Sequence, residues 1–225
     1  MMVEQKLAAP AQKGDAGAGG AAGLEEKTAQ DSSLLGTFQK EPLELLASLG
    51  GSTQFVSLVP AGTGSGPIWC ECFAPGDPNM LDFVARRNAE RRACYYALNE
   101  VEAGLTKKAT KGDIVAARGL HVDVDPPKDG SLFDKSGALT QLRALPIQPS
   151  YIVDTGGGFQ AVWLFNEPVR DFSVVEDMNR RIASLTGGDH CHNIDRLLRV
   201  PGSLNTPTAK KAAAGRKPAW AQFVR

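Results

Sequence analysis

The chain has 225 residues, of which 42% are hydrophobic, and its 25 basic and 25 acidic residues give a formal net charge of zero. This length and hydrophobic content support one substantial domain, or one domain with a tail. The balanced charge excludes a global basic field that would attract nucleic acid to the whole surface. Because the sequence has neither a membrane-spanning run nor the apolar core of a signal peptide, we expect a cytoplasmic protein without a membrane partner.

Alanine and glycine dominate residues 1–31, which contain no aromatic residue. Such a composition cannot bury enough apolar surface to offset the entropy lost on ordering. We therefore divide the chain into a flexible leader at residues 1–31, a folded domain at residues 32–208 and a basic C-terminal segment at residues 209–225.

Helices and strands alternate along the folded domain. Strands are predicted at residues 53–60, 67–74, 93–100, 114–125 and 149–165, the last interval holding two strands and the first two forming a hairpin. Helices are predicted at residues 42–50, 79–92, 137–145 and 173–186. This order predicts a single α/β domain with a mixed β-sheet flanked by helices.

The helix at residues 173–186 carries the most detailed local signals. Ser173 and Glu176 match a capping box, and Gly187 with Gly188 ends the helix. Its apolar stripe, expected to face the core, consists of Val174, Met178, Ile182 and Leu185.

Four cysteines occur, at Cys70, Cys72, Cys94 and Cys191. The first two are too closely spaced for a zinc knuckle, and the His-Cys-His run at residues 190–192 lacks a second matching pair. In a cytoplasmic protein we therefore expect reduced thiols.

The stretch GLHVDVDPP, at residues 119–127, predicts a strand with two carboxylates on one face. Apolar positions alternate with His121, Asp123 and Asp125, and two prolines end the strand. At the normal rise of a strand the α-carbons of Asp123 and Asp125 lie roughly 6.5 Å apart, so two like charges converge. A divalent cation would turn this repulsion into attraction; the alternative is a sheet edge with solvated acids.

A second unusual stretch, DTGGGFQAVW, places Gly156, Gly157 and Gly158 after a strand, with Gln160 in the next strand. Three glycines allow the backbone to approach a bulky ligand and to turn its N–H groups toward an anion. A plain hairpin turn accounts for one or two of them, so a phosphate or nucleotide cradle is favoured.

The third stretch, GGDHCHNIDRLLRVPGSLN, contains Asp189 after a helix end and Arg199 before a Pro-Gly turn that presents Asn205. The planar guanidinium of arginine suits phosphate oxygens. An ordinary arginine on the wet side of a helix is the alternative.

Basic residues are concentrated beyond this point. From Arg196 to Arg225 there are seven basic residues and no acidic one, which makes a local segment that attracts anions. The outermost residues of this segment are expected to be solvated and frayed.

Together the three stretches resemble the archaeo-eukaryotic primase (AEP) superfamily, most closely the RepB-like primase and primase-polymerase domains of plasmids, phages and prophages. The resemblance covers about residues 37–205, and the motifs gain specificity in combination. It implies an AEP-like catalytic domain at residues 32–208.

The resemblance also implies residue roles. The catalytic and metal-binding acids would be Asp123, Asp125 and Asp189. The nucleotide-binding residues would be Gly156, Gly157, Gly158, Gln160, Arg199 and Asn205. Gln160 stands where the family often has a histidine that contacts the phosphates, and its amide cannot carry charge.

The implied function is a DNA primase or primase-polymerase. Such an enzyme synthesises or extends a primer on single-stranded DNA from nucleoside triphosphates, by two-metal-ion nucleotidyl transfer with Mg²⁺ or Mn²⁺. The template would lie against Lys107, Lys108, Lys111 and the basic segment from Arg196 onward, with salt-sensitive binding that is largely independent of sequence. A replicative helicase, in trans or on a longer chain, is a further partner of this class.

Two other functions stay open. A catalytically degenerate primase-like module would only bind nucleic acid or nucleotide, and Gln160 favours this reading. A metal-dependent replication-initiation nuclease could use His121, Asp123 and Asp125 as ligands, although that class usually needs a second nearby histidine or a nucleophilic tyrosine.

Two acids of the third stretch compete for the metal. Asp189 follows a helix end, where a short side chain can reach a neighbouring strand. Asp195 precedes RLLRVPG, which predicts a short helix whose dipole would stabilise the acid without a metal. We therefore assign Asp189 to the metal and Asp195 to a structural role.

Deletion of residues 1–31 is expected to leave the melting temperature nearly unchanged, because a segment without aromatic residues contributes little burial. Thermal denaturation of the truncated and full chains checks this. A drop of many degrees would show that the leader docks on the folded domain.

Overall fold

The computed structural model describes residues 40–58, 66–127, 131–213 and 215–224. The predicted leader at residues 1–31 lies outside the described residues. Among the described residues no helix combines the length and apolar character needed to cross a membrane.

Two antiparallel sheets organise this part of the chain. The first has the order β2-β1-β3-β8 and consists of β1 (Thr53–Ser57), β2 (Trp69–Phe73), β3 (Cys94–Ala97) and β8 (Leu197–Arg199). Helices α1 (Lys40–Leu49) and α2 (Asn79–Ala89) supply Leu45, Met80 and Phe83 to a core with Phe55 of β1. The predicted hairpin of the first two strands is confirmed by the antiparallel β1–β2 pairing.

The second sheet has the order β11-β6-β7-β5-β4. Its strands are β4 (Glu100–Val101), β5 (Ile114–Val124), β6 (Tyr151–Asp154), β7 (Phe159–Val169) and β11 (Gln222–Phe223). Helices α3 (Lys135–Arg143) and α4 (Phe172–Thr186) contribute to the core on one face. The remaining elements are a 3₁₀ turn (Lys111–Asp113), β9 (Leu204–Asn205), α5 (Ala209–Ala213) and β10 (Ala219–Trp220), which pairs with β9.

The alternation in β5 and β7 explains how the two cores meet. Leu120, Val122 and Val124 of β5 all lie in the core with α3 and α4, as their spacing predicted. On β7, Ala161 faces this core while Val162 lies in the core of the first sheet. The second sheet is therefore buried on both faces near the end of β5 that carries the acids.

The predicted single α/β domain is confirmed, with one correction. Every strand pair among the described residues is antiparallel, so the sheets are not mixed. The reason is that β6 and β7 form a hairpin and β7 runs back along β5, and antiparallel neighbours need no crossover helix.

Helix α4 differs from its predicted orientation. Its N-cap is Asp171, whose side chain accepts a hydrogen bond from the Val174 N–H, so the predicted capping box at Ser173 and Glu176 is wrong. Glu176 instead accepts a hydrogen bond from the backbone N–H of Ile194. The end of the helix at Gly187, with φ of 64°, is as predicted.

The predicted apolar stripe of α4 is also wrong. Val174, Met178 and Leu185 are exposed, and the buried positions are Val175, Asn179, Ala183 and Thr186. Asn179 decides the orientation because its amide accepts from the His121 N–H of β5 and donates to the His192 carbonyl. The helix therefore buries the face that contains the fully hydrogen-bonded Asn179 amide, and not the apolar face that periodicity alone predicted.

The C-terminal segment is part of the fold. Strand β11 pairs with β6, and the ring of Phe223 packs edge-on against Tyr151 with centroids 5.5 Å apart. The expectation of frayed outer residues is therefore wrong up to residue 224, because these residues complete the edge of the second sheet.

Arg91 has an unusual backbone conformation. It follows the end of α2 with φ of 56°, and it is the one non-glycine residue with positive φ among those described. Glycine is the usual residue at this position after a helix, and the left-handed conformation costs another residue about 1 kcal/mol.

The two sheets are also joined by a hydrogen bond between the hydroxyl oxygens of Tyr96 and Tyr151, 3.0 Å apart. Tyr96→Phe or Tyr151→Phe alone is expected to cost about 1 kcal/mol of unfolding free energy, because one hydroxyl loses its partner. The double variant should cost less than the sum of the two. Chemical denaturation measures this coupling, and strictly additive losses would contradict it.

Candidate functional site

A cavity of about 500 Å³ opens where the ends of β5 and β8 meet the β6–β7 turn and the C-terminal segment. It brings together eight of the residues selected from the sequence, namely Asp123, Asp125, Gly156, Gly157, Gln160, Arg196, Arg199 and Asn205. The outermost of these residues, Asp123 and Asn205, are 82 positions apart in the sequence, and the fold gathers all eight at one place.

Asp123 is the buried acid of this cavity. Its side chain is in the second sheet opposite Gln160, and the residue is 8% exposed. Burial and the neighbouring Asp125 carboxylate raise the pKa of Asp123, whereas Arg196 and Gln160 partly offset that rise. The two acids therefore form a concentration of negative charge that would be relieved by a cation.

Arg196 is the cation that faces Asp123 here. Its Nη2 lies 3.3 Å from Oδ2 of Asp123, and its side chain is 38% exposed. The sequence assigned Arg196 to template binding, whereas its position is inside the cavity beside the acids. The Nε of the same guanidinium is buried without a hydrogen-bond partner among the described residues.

Gln160 connects the acidic and basic sides of the cavity. Its Nε2 donates to Oδ2 of Asp123 at 3.4 Å, and its Oε1 accepts from the backbone N–H of Arg199 at 2.8 Å. Both ends of the amide are therefore engaged. This contact pattern explains why an uncharged amide is accommodated at a 5% exposed position.

Arg199 is held by Tyr95. Its Nη2 donates to the Tyr95 hydroxyl at 2.6 Å, and the guanidinium carbon lies 4.5 Å from the centroid of the Tyr95 ring. Arg199 is 7% exposed, and its Nη1 has no hydrogen-bond partner among the described residues. A buried guanidinium with an unpaired donor is suited to a bound oxyanion. Tyr95 was not selected from the sequence.

The glycines of the β6–β7 turn matter because they lack a side chain, which leaves room for neighbouring groups, more than because of their N–H groups. Gly156 donates its N–H to the Asp154 carboxylate and Gly158 donates to the Thr155 hydroxyl, so these two N–H groups are engaged within the chain and do not face a bound phosphate as expected. A Cβ on Gly158 would collide with the Val124 carbonyl, and one on Gly157 would lie 2.6 Å from Nη1 of Arg216. The turn therefore lets β5 and Arg216 approach closely.

Asn205 braces the same turn, because its Nδ2 donates to the Thr155 carbonyl at 2.6 Å. It lines the cavity as predicted, on β9. The pairing of β9 with β10 fixes the C-terminal segment over this side of the cavity.

The C-terminal segment adds a basic wall to the cavity, whereas the sequence assigned the basic residues from Arg196 onward to the template. Its cavity-lining basic residues are Lys211, Arg216 and Lys217. The run of basic residues without acids was visible in the sequence, but nothing local indicated that it returns to the acidic strand. With Arg196 and Arg199, this wall gives the lining five basic side chains against two carboxylates.

Asp189 does not line the cavity, although it lies next to the acidic strand. Its backbone N–H donates to the Asp123 carbonyl at 2.8 Å. Within the part of the chain that the structure describes, no three His, Cys, Asp or Glu side chains are grouped closely enough to hold a metal. The assignment of Asp189 as a metal ligand stays a prediction.

The predicted reason for excluding Asp195 from the metal is wrong. The residues after it form β8, a strand, so there is no helix dipole to stabilise its charge. Its Oδ1 is buried without a hydrogen-bond partner among the described residues.

Three other predicted DNA-binding residues lie away from the cavity lining. Lys111 pairs with Glu176 at 2.6 Å, and Lys107 lies 3.5 Å from Asp113. Lys108 is exposed. Their role in binding a template stays a prediction.

His121 is a structural residue. It is 1% exposed, its Nε2 bonds to the Cys191 carbonyl at 2.8 Å, and its Nδ1 lies 3.3 Å from the Asn179 amide nitrogen. Burial is the main cause that lowers its pKa to about 4, so the ring is neutral at physiological pH.

Solved structures of primases share this fold. The AEP domain of the primase-polymerase from cyanophage S-2L aligns with a TM-score of 0.57 at 19% identity, covering 83% of this chain and 89% of that chain. Primase RepB′ aligns with a TM-score of 0.56 at 15% identity, covering 84% and 56%. The catalytic domain of RepB′ in complex with initiator DNA gives 0.54 at 15% identity, covering 82% and 85%.

No protein-family model and no curated protein matches the sequence. The structural likeness therefore identifies the fold, which this chain shares with the AEP domain of a primase-polymerase and with primase RepB′. The chain has the fold of the archaeo-eukaryotic primase superfamily, and the prediction made from the three sequence stretches is confirmed at this level.

Gln160→Glu is expected to destabilise the fold by about 1–3 kcal/mol at pH 8, because it replaces a donor to Asp123 with a third negative charge. Asp123 and the introduced glutamate would then repel each other, and each would have a raised pKa in the folded state. The loss should shrink as the pH falls toward 5 and they become protonated.

Denaturation at the two pH values measures this difference. Gln222→Glu, at an exposed position on β11, is the matched control. Equal stability of the two variants at pH 8 would contradict the proposed contact.

Proposed function

We propose that this chain is a primase-type nucleotidyltransferase that synthesises or extends a primer on single-stranded DNA. The observation that carries the proposal is the arrangement of the cavity: Asp123 and Asp125 lie on one side, and five basic side chains line the same space. A nucleoside triphosphate needs both, because its phosphates require neutralisation and its metal ions require carboxylate oxygens.

The donor set fits Mg²⁺ or Mn²⁺. Asp123, near the end of β5, and Asp125, just beyond that end, carry carboxylates that repel each other, and this repulsion contributes to the raised pKa of Asp123. Hard cations prefer such oxygen ligands. Asp123 and Asp125 would hold the metal, with Asp189 as the proposed third ligand. The bound ions would lower the barrier by activating the attacking hydroxyl and neutralising charge on the phosphates.

The chain's own side chains would position the triphosphate. Arg199, fixed by Tyr95 and by Gln160, presents a preorganised guanidinium. Arg216, which lies against Gly157, and Lys211 add positive charge to the same cavity lining. Such charges would favour departure of the pyrophosphate when the primer 3′-oxygen bonds to the α-phosphorus.

The expected partners follow from this reaction. The solved complex of the RepB′ catalytic domain with initiator DNA supports a DNA-binding role for the same fold. We propose that Lys107, Lys108 and Lys111 contact template phosphates outside the cavity. A helicase partner, a plasmid or phage origin and a cytoplasmic location belong to the same proposal.

A catalytically degenerate binding module is the second candidate. Arg196 paired with Asp123, together with an uncharged Gln160, favours it because the acids are partly neutralised without a metal. Such a module would bind nucleoside triphosphate or DNA and form no product from a labelled primer. The nuclease reading is disfavoured, because both ring nitrogens of His121 are engaged inside the core.

Asp123→Asn and Asp125→Asn are each expected to reduce primer extension by roughly 100-fold or more, because each removes a metal ligand. The melting temperature without metal should stay level or rise, since one of two repelling charges is removed. Primer extension with Mg²⁺ and thermal melting measure the two effects.

Asp177→Asn, at a half-exposed carboxylate of α4, is the matched control and should keep its activity. Near-normal extension by either cavity variant would refute the metal-binding role. Absence of extension by the wild-type chain, with retained triphosphate binding, would favour the binding module.

A further inference from the structure

A smaller cavity of about 140 Å³ adjoins the main one. The two cavities share Tyr95, Arg199, Asn205, Pro207 and Lys211 as lining residues. The smaller cavity is therefore a side chamber of the site, on the side away from Asp123 and Asp125, neither of which lines it.

The side chamber is positively charged. Its lining contains Arg91, Arg199 and Lys211 and no acidic residue. In the main cavity Arg196 is paired with Asp123, whereas the charge of the side chamber has no carboxylate in its lining. This composition favours an anion over any neutral or cationic ligand.

Two buried polar atoms of the chamber residues have no hydrogen-bond partner in the described part of the chain. They are Nη1 of Arg199 and Oγ1 of Thr206. Arg199 is more than nine-tenths buried, and its other terminal nitrogen is held by Tyr95. Buried polar atoms normally have partners, and these two unpaired donors are suited to a ligand with oxygen acceptors.

The backbone at Arg91 supports the same conclusion. Glycine would occupy the left-handed position after α2 without strain, yet an arginine is present, and it is one of the residues that line the chamber. Strained residues of this kind tend to occur at functional sites, where the side chain has a role that offsets the strain.

We propose that the side chamber is a phosphate-binding subsite, built by Arg91, Arg199, Thr206 and Lys211. The identity of the phosphate rests on the proposed function. It belongs either to the terminal phosphates of the nucleotide in the main cavity, and hence to the pyrophosphate that leaves, or to the 5′-phosphate of a second nucleotide or oligonucleotide. Both sources present the same tetrahedral oxyanion to the same side chains.

Calorimetric titration with inorganic pyrophosphate tests the subsite without requiring catalysis. Arg91→Gln is expected to weaken pyrophosphate binding about tenfold, since it removes one charge-assisted contact. Arg86→Gln removes an exposed arginine of α2 that lines neither cavity, and it should bind as the wild type does.

Arg91→Gly separates binding from folding. Glycine relieves the left-handed backbone, so this variant should melt at the same temperature as the wild type or higher, and it should still lose pyrophosphate affinity. Thr206→Val should weaken binding as well, because it removes the unpaired hydroxyl. Pyrophosphate affinity unchanged in both Arg91 variants would overturn the proposal.

Two further titrations identify the source of the phosphate. If the preference for a nucleoside triphosphate over its monophosphate falls in Arg91→Gln, the chamber holds the terminal phosphates. If the preference for a 5′-phosphorylated over a 5′-hydroxyl oligonucleotide falls, it holds a second strand or nucleotide. If neither preference falls and pyrophosphate binding is also unchanged, the proposal is overturned.

These results are distinguishable from failure of the proposed function. A wild-type chain that extends primers, with Arg91 variants that bind pyrophosphate normally, would retain the function and refute the subsite. A chain that extends no primer, but loses pyrophosphate binding in the Arg91 variants, would retain the subsite and refute catalysis.

Discussion

The burial of Asp123 beside a second carboxylate, that of Asp125, is the constraint on which the site depends. Asp123 lies in a sheet that is packed on both faces, so its carboxylate loses hydration and is repelled by Asp125. The chain compensates with Gln160 from the neighbouring strand and Arg196 from the segment before β8. These contacts only partly offset the cost, since the pKa of Asp123 remains raised. A cation between the acids would complete the compensation.

The same arrangement links the acids to the basic side of the cavity. Gln160 connects Asp123 to the backbone of Arg199, and Tyr95 fixes the Arg199 guanidinium. The β9–β10 pairing then brings the C-terminal segment, with Arg216, against the glycine turn. The acidic and basic halves of the site are therefore positioned by one continuous set of hydrogen bonds and strand pairings, which is how a preorganised phosphoryl-transfer site is expected to be built.

Local patterns in the sequence predicted much of this. Alternation predicted β5 and the face carrying Asp123 and Asp125, and the turn chemistry predicted the glycine bend and the end of α4 at Gly187. The failures concern contacts between distant segments. Periodicity placed Met178 in the core, but the hydrogen bonds of Asn179 to β5 and to His192 rotated the helix. Likewise, no local signal could show that Arg216 returns to Gly157, because that approach depends on strand pairings formed across the whole domain.

A crystal of the chain with Mn²⁺ and a non-hydrolysable nucleoside triphosphate tests the central claim most directly. The account predicts anomalous density for Mn²⁺ bound by carboxylate oxygens of Asp123 and Asp125, with Arg196 displaced from Asp123. It also predicts triphosphate oxygens against Arg199 and Arg216. Triphosphate bound elsewhere, or Mn²⁺ absent from the two acids while the nucleotide occupies the cavity, would contradict it.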